Sequence, residues 1–325
     1  MLSSYKGIKK SLKRFYLFIL AALSSFFKVY NKIFPRRRKE KIIHYFFFVL
    51  AAISIFIIFF IFYYLFSEAI PAFSEYGFGI FGTEWNETRG VFNIGAAIFG
   101  TVIVTIGAMI IAIPLGLGGA IFLSEIAPYR LRVLLKPIIE LLAGIPSIVF
   151  GFLGAALLRV YLKDNFDMLS GFSYLAGSLI LGIMALPIII SVSDDALKSV
   201  PRGLKEASLA VGATKWQTIK KVTFPTAISG ISAAVILGIG RAVGETMAVS
   251  LVLGNLMDIP VPPFDIFEST GATLTSIIAL DMGEATGMQS YSLFACGVIL
   301  FLIVGIMSIA SNILKERVEK KFKGG

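Results

Sequence analysis

The chain has 325 residues, of which 57% are hydrophobic and only 15% charged, and its mean hydropathy is +0.85. Soluble proteins carry roughly 25% charged residues, so the composition argues against a water-soluble fold, and the 29 phenylalanines suit surface that faces lipid. The net charge of +10 does not point to nucleic acid, because the basic residues fall between apolar runs, where membrane topology accounts for them.

The N-terminus opens with basic residues from Lys6 to Arg14 and an apolar stretch at 15–30, followed by the run Arg36, Arg37, Arg38 and Lys39. No small-residue cleavage site follows, so this is not a typical cleaved signal. Positive charge on both flanks disfavours translocating either end, so 15–30 reads as a helix lying in the membrane interface, with a seventh span as the alternative.

A membrane helix needs about 20 mostly apolar residues. Stretches at 43–66, 94–123, 137–158, 175–192, 228–253 and 290–314 meet that length and predict an all-α, polytopic bundle of six transmembrane helices. Lys and Arg fix its orientation. With the N-terminus inside, the inner segments hold Arg130, Arg132, Lys136, Lys198, Arg202, Lys205, Lys215, Lys220, Lys221 and a basic tail. The outer segments hold only Arg89, Arg159 and Lys163, and the outer loop at 255–289 carries Asp258, Asp265, Glu268, Asp281 and Glu284 with no Lys or Arg. Both termini are therefore expected in the cytoplasm of a cell-membrane protein. Residues 1–41 form a basic N-terminal segment, 42–315 the transmembrane domain and 316–325 a basic tail.

The inner loop at 193–226 is too helical for a linker. Pro201 suits a first helical turn. Leu204, Ala207, Ser208 and Val211 share a face, Gly212 supplies a helix end, and Thr214 can cap a second helix carrying Trp216, Ile219 and Val222. Such an amphipathic pair needs a groove, which its own bundle or a soluble partner can supply. Asp194 and Asp195, at the start of the loop, are expected in headgroup water. Glu140 reads as paired with Lys136 or as lining the inner mouth of a path.

The fifth stretch contains Arg241 and Glu245, four residues apart and so on one face of a continuous helix. A charge at mid-membrane costs at least about 2.5–3.5 kcal/mol. The two either neutralise each other structurally or line a path in which Arg241, a planar donor fork, meets an anion.

Two patterns resemble a known family. Glu206-Ala207-Ser208, three residues, Gly212, nine residues and Val222-Thr223-Phe224-Pro225 reproduce the spacing of the EAA loop of ABC importer permeases, with Ser208, Val222 and Phe224 as mild departures. In that family the loop forms coupling helices that dock on the ATPase. The resemblance thus implies ATPase coupling for Glu206, Ala207, Ser208, Gly212 and Pro225. The motif Arg241-Ala-Val-Gly-Glu245-Thr246-Met247-Ala248-Val249, with 112–121 and 140–147, is similar to the C-type permease subunit of phosphate-specific importers. It implies Arg241, Glu245 and Thr246 as substrate-path residues and phosphate as substrate. The implied partners are a homologous A-type permease subunit, two ATP-binding subunits and an external phosphate-binding protein, with no cofactor. No phosphate-binding loop of the Gly-x4-Gly-Lys-Ser/Thr type occurs, so ATP hydrolysis is expected on a partner chain. Other classes remain as alternatives: a sulfate or molybdate permease, an ion-coupled secondary transporter, or a membrane enzyme acting on lipid. The secondary transporter leaves the pattern from Glu206 to Pro225 unexplained, and the enzyme lacks a catalytic cluster.

Overall fold

The computed structural model describes residues 38–166, 168, 170–260 and 268–323, with side chains described from His44 to Ile313 and at Glu316. The interfacial helix expected at 15–30, Asp265 and the basic side chains of the tail lie outside the described residues.

The chain divides into two units, Met1–Phe62 and Tyr63–Gly325. Helix α1 spans Arg38–Tyr76. Over the first unit its apolar side chains are exposed all round, Phe46, Phe47, Ile53, Ile55 and Phe60 among them, which is the surface of a helix in lipid.

In the second unit a 3₁₀ turn at Gly77–Phe81 leads to a short antiparallel hairpin, β1 (Trp85–Asn86) and β2 (Val91–Phe92). Helix α2 (Gly95–Ile121) runs on through a π turn at Phe122–Ile126. Helix α3 (Tyr129–Ala143) is followed by α4 (Ser147–Leu153), a π turn at Gly154–Leu158 and α5 (Arg159–Asn165). Helix α6 (Tyr174–Lys198) precedes the short α7 (Arg202–Ala210). Helix α8 (Lys215–Thr218), a π turn at Ile219–Thr223 and α9 (Phe224–Val243) form one continuous rod. Then come α10 (Met247–Leu253), α11 (Leu274–Asp281) and α12 (Met288–Lys323).

Small residues set the core. A β-carbon added at Gly116 of α2 would lie 2.6 Å from Ile189 of α6, and one at Gly107 would lie 2.4 Å from the Ser178 hydroxyl. Helices in lipid gain nothing from burying apolar surface against each other, so close backbone approach supplies the attraction. Val104, Ala108, Met184, Ala185 and Ile189 fill this seam and join Val249, Val252 and Leu253 of α10 in one cluster.

Five helices among the described residues are long and apolar enough to cross a membrane, and α3 with α4–α5 makes a sixth span bent by 92°. Six spans agree with the sequence reading, but three details do not. The third span is broken because Gly144 ends α3 and Pro146, which lacks an N–H, takes an extended ψ of 137° before α4. The fifth starts at Lys215 and stops at Val243 instead of running through 228–253. The stretch at 255–289 is not merely a loop: α11, capped by Thr273 and Ser276, buries Leu274, Ser276 and Ile277 in the bundle.

Candidate functional site

The break between α9 and α10 is built from its own sequence. Gly244 follows α9, and the Glu245 carboxylate accepts hydrogen bonds from the backbone N–H groups of Thr246 (3.2 Å) and Ala248 (3.3 Å). A carboxylate on the first amides of α10 satisfies donors that no preceding turn can reach and favours the positive helix end. The Glu245 carbonyl, freed by the same break, accepts from the Thr275 hydroxyl of α11 at 2.8 Å. Thr275 in turn lies 3.1 Å from the Thr273 hydroxyl, and Thr101 of α2 accepts from the Leu274 N–H at 2.9 Å. Thr275 thus ties the break to α11, whose first turn is held in turn by Thr101 of α2.

Arg241 occupies the last turn of α9, half-buried, with its Nε buried and without a hydrogen-bond partner. The helix face expected to carry Arg241 and Glu245 together does not exist, because the helix ends between them. Among the described residues the two make no ion pair, and the Glu245 carboxylate is engaged by backbone instead. Thr246 lies in the break beside Glu245, its hydroxyl directed at the Gly244 carbonyl at 3.4 Å.

The two broken spans meet. A β-carbon on Gly151 of α4 would lie 2.7 Å from Cα of Ala248 in α10, so the short helices that follow each break pack backbone to backbone. Irregular backbone at membrane depth is tolerated where protein buries it or a cavity is lined by it. A separate half-open cavity of about 360 Å3 is lined by Arg159, Val160, Lys163, Asp164 and Ser170 and includes none of Arg241, Glu245 and Thr246.

The second set of expected site residues sits at the other end of α9. Pro225 is in its first turn and Arg241 in its last, about 24 Å apart at 1.5 Å per residue. The π turn just before Pro225 opens the rod where the proline ring crowds the preceding turn. Gly212 takes φ +86° between α7 and α8, a left-handed conformation that suits glycine. Thr214 and Gln217 form a reciprocal capping box on α8, and the Ser208 and Thr218 hydroxyls pair across the elbow at 2.9 Å. Glu206 and Ala207 are exposed, as are Leu204, Leu209, Val211 and Trp216. The chain's own bundle leaves this apolar face uncovered.

Charges at this end are not simply solvated. Asp194, expected in headgroup water, has a side chain only 1% exposed and receives both Lys136 of α3 (3.2 Å) and Lys198. Lys136 also meets Asp195, whose side chain is exposed, and lies 4.0 Å from Glu140. Two ammonium groups compensate the buried carboxylate, which by itself would be costly. Sequence reasoning paired Glu140 with Lys136 but missed the burial of Asp194 between Lys136 and Lys198, although the i,i+4 spacing of Asp194 and Lys198 signals a pair. It also missed Thr275, Glu125 and Lys205. Beyond the hairpin, burial pushes the Asp281 carboxyl up from its ordinary range, with Glu87 and Glu284 adding repulsion.

Residues 116–323 match the family described as binding-protein-dependent transport system inner membrane component. The chain belongs to this permease family. The permease is 42% identical over 72% of its length to the protein named Probable ABC transporter permease protein YqgH of Bacillus subtilis, covering 76% of that relative. It is 37% identical over 77% of its length to the phosphate transport system permease protein PstC of Pasteurella multocida, covering 83% of it. It is 34% identical over 76% to the Probable phosphate transport system permease protein PstC of Methanocaldococcus jannaschii, covering 84%. Among solved structures, a bacterial alginate ABC transporter in complex with an alginate-bound periplasmic protein aligns at TM-score 0.59 and 18% identity, over 87% of the permease and 99% of that chain. The inward-facing MetNI methionine ABC transporter aligns at TM-score 0.51 and 20% identity, over 71% and 95%. These two establish the fold of the permease.

Proposed function

We propose that this permease is one of two homologous membrane subunits of an ATP-driven importer of inorganic phosphate. The observation that carries the proposal is the state of Arg241: its Nε is buried without a partner, while the nearest acidic residue in the motif, Glu245, is engaged by the start of α10. A guanidinium in a membrane bundle whose counter-charge is withdrawn is a donor for a passing anion, and its planar fork fits phosphate oxygens. The relatives named as phosphate permeases, 34–37% identical over three quarters of the chain, support phosphate among the oxyanions.

In this reading residues 42–315 are the permease domain and both termini are cytoplasmic. The uncovered face of Leu204, Leu209, Val211 and Trp216, with Glu206, Ala207 and Ser208 beside it, docks into a separate ATPase subunit. Two ATPase copies, an A-type permease and an external phosphate-binding protein complete the assembly. ATP-driven closure of the ATPase pair moves α7 and α8. The rod through Pro225 and the two broken spans carry that movement to the breaks, which open alternately to either side. Phosphate released outside by the binding protein passes Arg241, with Glu245 holding the break in shape and Thr246 lining it.

The test is ATP-dependent uptake of radiolabelled phosphate, sulfate and molybdate into proteoliposomes holding the full complex. Phosphate alone is taken up by the wild type. Arg241→Ala lowers that uptake by about 10- to 100-fold, the scale of a lost charge-assisted hydrogen bond, in a complex that still assembles. Uptake of another anion would replace phosphate in this assignment, and gradient-driven uptake without ATP would remove the assignment altogether.

A further inference from the structure

Helix α7 carries one buried-facing charge. Its exposed side holds Leu204, Glu206 and Leu209, while Lys205 and Ser208, three apart and so on one face, turn towards the bundle. The Lys205 ammonium donates to the Glu125 carboxylate at 2.6 Å and to the Leu197 carbonyl at 3.3 Å. The pair is largely out of solvent, with side chains 22% and 11% exposed. Surface ion pairs contribute little, but removing one member of a desolvated pair leaves the other uncompensated.

Glu125 sits in the π turn at the end of α2. The same turn is also gripped by Arg132 of α3, which donates to the carbonyls of Leu123 and Ser124, each at 2.6 Å. From Arg132, helix α3 runs to the break at Gly144–Pro146, about 18 Å at 1.5 Å per residue. Beyond that break, α4 rests on α10 at Gly151 and Ala248. A continuous set of contacts therefore leads from α7, through Lys205, Glu125, the π turn and Arg132, to the packed pair of broken spans. It is a different route from the covalent one through α8 and α9.

We propose that the Lys205–Glu125 pair is a positioning contact that ties the movement of α7 to α3, and through α3 to the break beside α10. The proposal rests on the reading of α7 as the ATPase-docking helix. Glu125 is the cleaner probe, because it touches the membrane side of α7 and not the docking face. Glu125→Gln keeps the shape and removes the charge.

The readout is the number of solute molecules imported per ATP hydrolysed by the full complex in proteoliposomes, a ratio that a merely structural contact does not move. Glu125→Gln and Lys205→Met each lower the ratio by about tenfold, within the range of interaction energies between contacting charged residues. The ATPase rate and subunit composition stay near wild type. Because the two act as one unit, the double variant is no worse than the weaker single. A wild-type ratio in Glu125→Gln overturns the proposal, as do losses that multiply in the double variant, or loss of the ATPase subunits from Glu125→Gln. The ratio is read with whichever anion the wild type imports, so a sulfate importer would overturn the phosphate assignment and leave this test intact. A chain that assembles with no ATPase would remove the docking reading of α7 and the pair's role with it.

Discussion

Arg241 and Glu245 illustrate how one residue's environment decides another's role. In a continuous helix they would neutralise each other, and the arginine would be a structural cation. The break at Gly244 separates them, and the Glu245 carboxylate turns to the amides of Thr246 and Ala248. What keeps the break in place is Thr275, whose side chain is nearly buried at 7% and whose hydroxyl satisfies the Glu245 carbonyl. Replacing it with valine preserves shape but leaves that carbonyl without its donor, at a cost of about 1–3 kcal/mol. Thr275→Val therefore lowers phosphate uptake by about tenfold or more on the same scale, while Thr275→Ser stays near wild type. Uptake assays on the two variants decide it: equal activity of both would remove Thr275 from the support of the break. None of this was legible from residue types. The sequence places Arg241 and Glu245 four apart, and helical periodicity alone puts them on one face. The carboxylate's preference for the amides beyond the glycine is a local competition that periodicity does not weigh.

At the level of elements, length and apolarity were enough to count the spans, because a bilayer demands about 20 such residues wherever the chain crosses. The breaks were harder. Pro146 and Gly144 announce theirs, since proline removes a donor and glycine ends a turn. Pro114 and Pro187 lie inside α2 and α6, which stay continuous, so proline alone does not separate a broken helix from an intact one. The helix pair α7–α8 was the most legible element. Its cap at Thr214, its elbow at Gly212 and its apolar stripe all belong to local chemistry. The sequence left open whether that stripe meets its own bundle, and the structure divides it: Ser208 and Ile219 turn inward, while Val211 (85%) and Trp216 (61%) stay exposed. A charge on this face opposes burial under a partner far more than it disturbs an exposed helix. The double substitution Val211→Asp/Trp216→Asp is thus expected to leave the permease folded in the membrane and to abolish co-purification of the ATPase subunits. Retention of those subunits would place the docking face elsewhere.

The whole molecule is a question of sidedness. Lys and Arg cluster on alternate segments, and that asymmetry sets orientation during insertion more strongly than any contact within the bundle. Buried charge such as Asp194 does not alter this reading, because the lysines that compensate it lie on the same side in the topology. The chain's composition makes orientation simple to test. Its one cysteine, Cys296, is fully buried in α12 and so gives no background to a membrane-impermeant maleimide. Phe78, at the turn after α1, is 93% exposed, and Val211 at the α7–α8 elbow is 85% exposed. With the N-terminus inside, these two positions face opposite compartments. Phe78→Cys is then labelled in intact cells and Val211→Cys only in inverted vesicles. Adding the ATPase subunits protects Val211→Cys and leaves Phe78→Cys unchanged. Labelling of both from one side would break the alternation of spans on which the six-helix topology depends. Labelling with the sides exchanged would keep the bundle and reverse the direction in which ATP-driven movement of α7 could act.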